Sequence, residues 1–267
     1  MTENNTKKQH FVPQMYLRRF TYDIDKNMCY TLNKSEEIHN VKISKICKKH
    51  YLYELRDNNG EIVYKNRYEK HFANIEDIFS QAIGDLIDDF EQEMPPLPPK
   101  MARSILTSFV AFLILKNPKI MNCDYLLQLP KTNLSKWEAN NERIFQIFNY
   151  WWDLGKYFDE KFNIIFHKNN TTLPFVTANF PTASYPFGNQ NVVFYFPMTP
   201  QLLVIFEPRT VMGFLPDRII NSNEDFVNFV NNVFHNCWST ELLISNNKDS
   251  LRILNKKELV NTNHNNL

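Results

Sequence analysis

The apolar residues between Tyr68 and Gln92 set the strongest limit on how this chain can fold. Phe72, Ile75, Phe79, Ala82, Ile83, Leu86 and Phe90 recur three and four positions apart, which lines one face of a helix and no face of a strand. Two more helical stretches follow. Residues 102–116 are apolar nearly all round and so belong in an interior; residues 133–157 carry Trp137, Ile144, Ile147, Phe148, Trp151, Trp152 and Tyr157. Past about residue 162 the texture changes to short β-branched and aromatic runs at 163–168, 173–178, 192–197 and 202–207. Ser222, with Asp225 three positions on, reads as the cap of a helix over 224–237. A strand at 241–245 and a short helix at 249–256 close the series.

Ahead of the long helix, Pro13 suits the first position of a short helix ending near Phe20. Strands are expected at 28–33, 39–43 and 51–55, the last turned by Asp57-Asn58-Asn59-Gly60 into 61–64. The fold class is therefore α+β: central α-helices packed with a mainly antiparallel or mixed C-terminal β-sheet, and a small N-terminal β-hairpin region. The proline-rich connector at 95–99 divides the chain into 1–94 and 100–267, two lobes of what the sequence suggests is one compact domain.

Composition narrows function mainly by exclusion. Only five glycines occur among 267 residues, so there is no phosphate-cradling loop, dinucleotide fingerprint or glycine-flanked nucleophilic serine. The net charge of +1 leaves no global field for nucleic acid, and any such contact must come from a local patch. Cys29, Cys47, Cys123 and Cys237 show no C-x-x-C pair, and Cys47 with His50 lacks the second half of a four-ligand zinc site. No metal or cofactor is expected. The polar start and the absence of an apolar run near the roughly 20 residues of a membrane span suggest a soluble, cytoplasmic protein with no membrane partner.

The remaining polar clusters each admit two readings. His10, Arg18 and Arg19 could anchor the N-terminal segment, or could serve as acid, base and anion ligands. On a helix the two arginines lie about 100° apart, so only one reaches a given point. Lys42, Lys45, Lys48 and Lys49 could touch a phosphate backbone or form a solvated basic face. Glu69 with Glu76, and Asp85 with Asp89, share helix faces; they could hold a divalent cation, though the wet side of an amphipathic helix is the plainer reading. The turns containing Thr177, Asn179 and Pro181, and containing Thr199, present hydroxyls and amides as binding loops do, and turn chemistry alone also selects such residues.

The opening Gln9-His10-Phe11-Val12-Pro13, then Tyr16-Leu17-Arg18 and Phe20, resembles the N-terminal signature of the bacterial family known as domain of unknown function 4238. Phe175-Val176-Thr177-Ala178-Asn179-Phe180-Pro181 is similar to its second block, with Asn179 where the family has Asp. Phe196-Pro197-Met198-Thr199-Pro200 resembles a third block, and Asn231 or Asn232 a fourth. The resemblance implies a defence protein against bacteriophage, acting as sensor or effector. On that footing His10, Arg18 and Arg19 are candidate catalytic residues for metal-independent phosphodiester cleavage. Gln9, Tyr16, Thr177, Asn179, Pro181 and Thr199 are candidate binding residues, and the partner is nucleic acid or a phage-encoded trigger. The alternative is a non-catalytic module that recognises a phage protein or small ligand through Trp137, Trp151 and Trp152.

Overall fold

The structure, a computed structural model, describes residues 8–92, 100–122, 134–187, 191–213 and 218–255. In chain order the elements are β1 (Lys8–His10), α1 (Gln14–Leu17), a 3-10 turn (Arg18–Phe20), β2 (Met28–Asn33), β3 (Ile38–Lys42) and β4 (Lys48–His50). Then come α2 (Arg67–Glu91), α3 (Lys100–Lys116), α4 (Pro118–Met121), α5 (Lys136–Lys161), β5 (Phe162–Asn169), β6 (Thr177–Ala178) and β7 (Ala183–Phe187). The last are β8 (Asn191–Thr199), β9 (Leu202–Pro208), α6 (Arg209–Met212), β10 (Arg218–Ser222), α7 (Glu224–Asn236) and β11 (Leu242–Ser245), with a closing helix over 248–255. The class is α+β. The connector expected at 95–99 lies outside the described residues. Contacts divide the chain into two units that interleave along the sequence: residues 1–13 with 47–160, and 14–46 with 161–267.

The first unit is helical. The stripe read from the sequence buries Phe72, Phe79, Ile83 and Leu86 of α2, and Phe72 and Phe79 meet Phe109, Phe112, Phe148 and Trp151 of α3 and α5 at centroid distances of 4.8–5.9 Å. Gly155 lets α5 approach α3 closely, because a Cβ there would sit 2.8 Å from the Ser108 Cα. β1 and β4 form a two-stranded antiparallel ribbon. The expected hairpin over 51–64 is only partly realised. The Asp57–Gly60 turn forms, with Gly60 at φ +86, but its arms join through a single bridge between Arg56 and Ile62. Tyr51 is left-handed, and on the side away from the 61–64 arm Asn141 of α5 takes both the N–H and the carbonyl of Arg56, at 3.0 and 2.7 Å.

The second unit holds two sheets. One has the order β10-β5-β9-β8-β7, antiparallel except for the parallel β10–β5 edge; the other runs β3-β2-β11-β6 and is antiparallel throughout. Val227, Val230 and Phe234 of α7 share one core with Ile165, Phe175, Val176, Leu203 and Leu243. Two expectations need correction here. The strand expected over 173–178 shrinks to Thr177–Ala178, because buried Asn231 accepts from Val176 N and donates to the Pro174 carbonyl. The cap of α7 is Asn223, which accepts from Phe226 N, and not Ser222, which ends β10. No helix among the described residues is long and apolar enough to cross a membrane.

Candidate functional site

Gln9 sits in the middle of β1 with its side chain fully buried. Its Oε1 accepts from Tyr53 N at 2.7 Å and its Nε2 donates to Glu54 Oε1 at 2.9 Å. Glu54, also wholly buried, accepts from Asn66 N at 3.1 Å, one residue before α2 begins. A carboxylate held there meets the positive end of a 25-residue helix. Burial nonetheless raises the Glu54 pKa against those hydrogen bonds.

Further along α2 the buried charges continue. Lys116, at the end of α3, is 1 % exposed. It pairs with Glu76, and its ammonium lies 4.9–5.3 Å from the ring centroids of Tyr53, Phe72 and Phe112. Tyr53 Oη donates to the Lys116 carbonyl at 3.0 Å. Glu69 completes the cluster: burial pushes its carboxyl up to about 7, helped by the nearby Glu76 and Glu54 charges and opposed by Lys116. Glu69 and Glu76 are therefore not the wet side of α2. Both face the interior, where Lys116 answers them. Among the described residues no group of three or more His, Cys, Asp or Glu is placed to hold a metal ion.

Around this centre the first unit carries a basic, aromatic surface. Five of the six ribbon residues are Lys or His: Lys8 and His10 on β1, and Lys48, Lys49 and His50 on β4, with His10 opposite Lys48. From Tyr51 the tract continues to Arg56, whose guanidinium lies 5.8 Å from the Tyr51 ring and 4.9 Å from that of Trp137. Lys136 covers Trp137 at 4.8 Å. The bridge from Arg56 to Ile62 leads to an open cleft of about 520 Å³ at the start of α2, where Lys65, Arg67, Lys70 and His71 surround Tyr64. Asp57 and Glu61 are the acidic residues of the intervening turn, and Asp57 is engaged by the N–H groups of Asn59 and Glu61.

Of the remaining candidate catalytic and binding residues, His10 lies in the first unit and Tyr16, Arg18, Arg19, Thr177, Asn179, Pro181 and Thr199 lie in the second. The Tyr16 hydroxyl meets Thr177 Oγ1 at 2.6 Å and donates to the Pro197 carbonyl at 2.7 Å; Tyr16 also stacks on Phe196, 5.5 Å away. Three sequence blocks thus converge in one buried knot. Asn179 Oδ1 accepts from the backbone of Glu241 and Leu242 at 2.8 and 3.0 Å, Pro181 is buried, and Thr199 Oγ1 accepts from Gln201 N. Arg18 is exposed and donates to Asn27 Oδ1; Arg19 is half-buried. Of the three tryptophans, Trp151 packs inside α5's contact with Phe79 and Phe112, and Trp152 stands 57 % exposed.

The polar cluster of Gln9, Glu54, Glu69, Glu76 and Lys116 was missed as a unit by sequence reasoning. A signal for part of it exists. Glu69 and Glu76 fall at positions three and four from Phe72 and Phe79, inside the apolar stripe of α2.

The described residues form an α+β chain whose first unit is helical apart from the β1–β4 ribbon. The sequence model described as protein of unknown function (DUF4238) matches residues 8–153, and the chain belongs to that family. No curated protein and no solved structure matches it.

Proposed function

We propose that this protein is a bacterial anti-phage defence factor that engages nucleic acid through the basic, aromatic surface of its first unit. The observation that carries the reading is the gathering of Lys65, Arg67, Lys70 and His71 about Tyr64 in one open cleft. Cations track a phosphate backbone, and accessible rings give unpaired bases a stacking platform. The second support is the ribbon, where charge is concentrated in a chain whose net charge is only +1. The defence role follows from the family resemblance of the opening block.

Metal-independent cleavage of the bound strand is the finer part of the proposal. His10, half-buried on β1 with Lys48 across the ladder, is the acid–base residue assigned to it. The expected result with labelled single-stranded RNA and DNA at low salt is binding by the wild type and by His10→Ala, with cleavage lost only in the variant. His10→Ala should stay within about 1 kcal/mol of wild-type stability. A variant that cleaves at the parental rate would remove His10 from the chemistry, and a wild type that binds neither polymer would remove the function.

A further inference from the structure

A separate cleft of about 240 Å³ lies within the second unit, between the β2–β3 turn, the end of α7 and the closing helix. Its size falls just below that of sites for drug-sized ligands and suits one small ring system. The floor is apolar: Leu32 of β2 and Leu243 of β11, register partners across that ladder. Two side-chain oxygens in the lining, Thr240 Oγ1 and Asn255 Oδ1, are buried with no protein hydrogen-bond partner. The orientation of Asn255 is set, because its Nδ2 donates to the Glu36 carbonyl at 2.9 Å, which leaves Oδ1 as an acceptor awaiting a donor. Buried oxygens in this state are costly, and a ligand that supplies N–H groups relieves both at once.

The rim carries both signs of charge. Glu36 and Glu241 add acceptors, while Lys34 and His235 add donors. Asn179 holds this rim in place through the backbone N–H groups of Glu241 and Leu242. The complement is a flat ring system with apolar faces, adjacent N–H donors on one edge and acceptors on another. We propose that the cleft binds a guanine-type base, presented as a free nucleoside or nucleotide. The donor edge would meet Asn255 and Thr240, and the acceptor edge would meet Lys34 or His235. The site uses no residue of the first unit and stands independently of the reading given for it.

Calorimetric titration of the full chain with guanosine and with guanosine monophosphate tests this. Saturable binding of one or both is expected, and the stronger of the two identifies nucleoside or nucleotide as the source. Thr240→Val and Asn255→Leu should each weaken binding at least tenfold. Thr240→Val should also leave the melting temperature of the unliganded protein unchanged or higher, since it deletes a hydroxyl without a partner. The proposal is overturned if neither compound binds, if adenosine or free arginine binds as tightly, or if Thr240→Val binds like the parent.

Discussion

Lys116 is the residue whose environment is hardest to reconcile with its chemistry, and Glu76 resolves it. An ammonium 1 % exposed among three rings is stable only because a carboxylate meets it. Removing one partner from such a pair leaves the other charge buried and uncompensated, a loss of about 3–5 kcal/mol. Lys116→Met should therefore unfold at markedly lower urea, and adding Glu76→Gln should recover much of the loss. Equal denaturation midpoints for single and double variants would contradict the pairing. Glu69 makes a pH prediction. Its folded pKa of about 7 stands above the ordinary carboxyl value of 4.5, so the folded state holds a proton that the unfolded chain has released. Stability is full below pH 4.5, falls as pH rises from 4.5 to 7, and stays at the lower level above. Glu69→Gln should thus be neutral at pH 4 and stabilising at pH 8, by on the order of 2 kcal/mol. Urea melts of both proteins at the two pH values check it; an equal difference at both would assign the effect to packing.

At the scale of elements, the helices were legible and the polar turns were not. α2 was readable because its apolar stripe is continuous, and α3 because it is apolar on every face. β7 and β10 were missed: Ala183–Phe187 contains Pro186 and is half exposed, and Arg218–Ser222 is an edge strand with little burial. The strand expected over 173–178 and the first arm of the 51–64 hairpin are held by the same device. In both, a distant asparagine, Asn231 or Asn141, supplies the backbone partners that a neighbouring strand would have given. No local pattern encodes such a clamp. Asn179 belongs to the same group: what the turn uses is one acceptor oxygen for two N–H groups, which an Asp side chain would supply equally. Asn179→Asp should keep the melting temperature within a few degrees. Asn179→Leu, which leaves two N–H groups unmet, should cost about 1–3 kcal/mol. If both variants melt alike, the acceptor is not what holds β11.

For the molecule as a whole, the candidate site was only partly visible in sequence. Gln9 and His10 were singled out, but the ribbon that joins them to Lys48, Lys49 and His50 depends on pairing across some forty residues. The cleft depends likewise on how a turn meets the start of α2. The net charge of +1 gives no sign of the local basic tract on the ribbon. If the first unit holds a phosphate backbone, affinity must fall with salt through counterion release. Fluorescence anisotropy with a labelled single strand from 50 to 300 mM salt measures this directly. Neutralising about four phosphates gives a log–log slope of about −3. Lys65→Ala/Arg67→Ala/Lys70→Ala should flatten that slope to about −1. A wild-type affinity indifferent to salt, or a triple variant with the parental slope, would contradict the account.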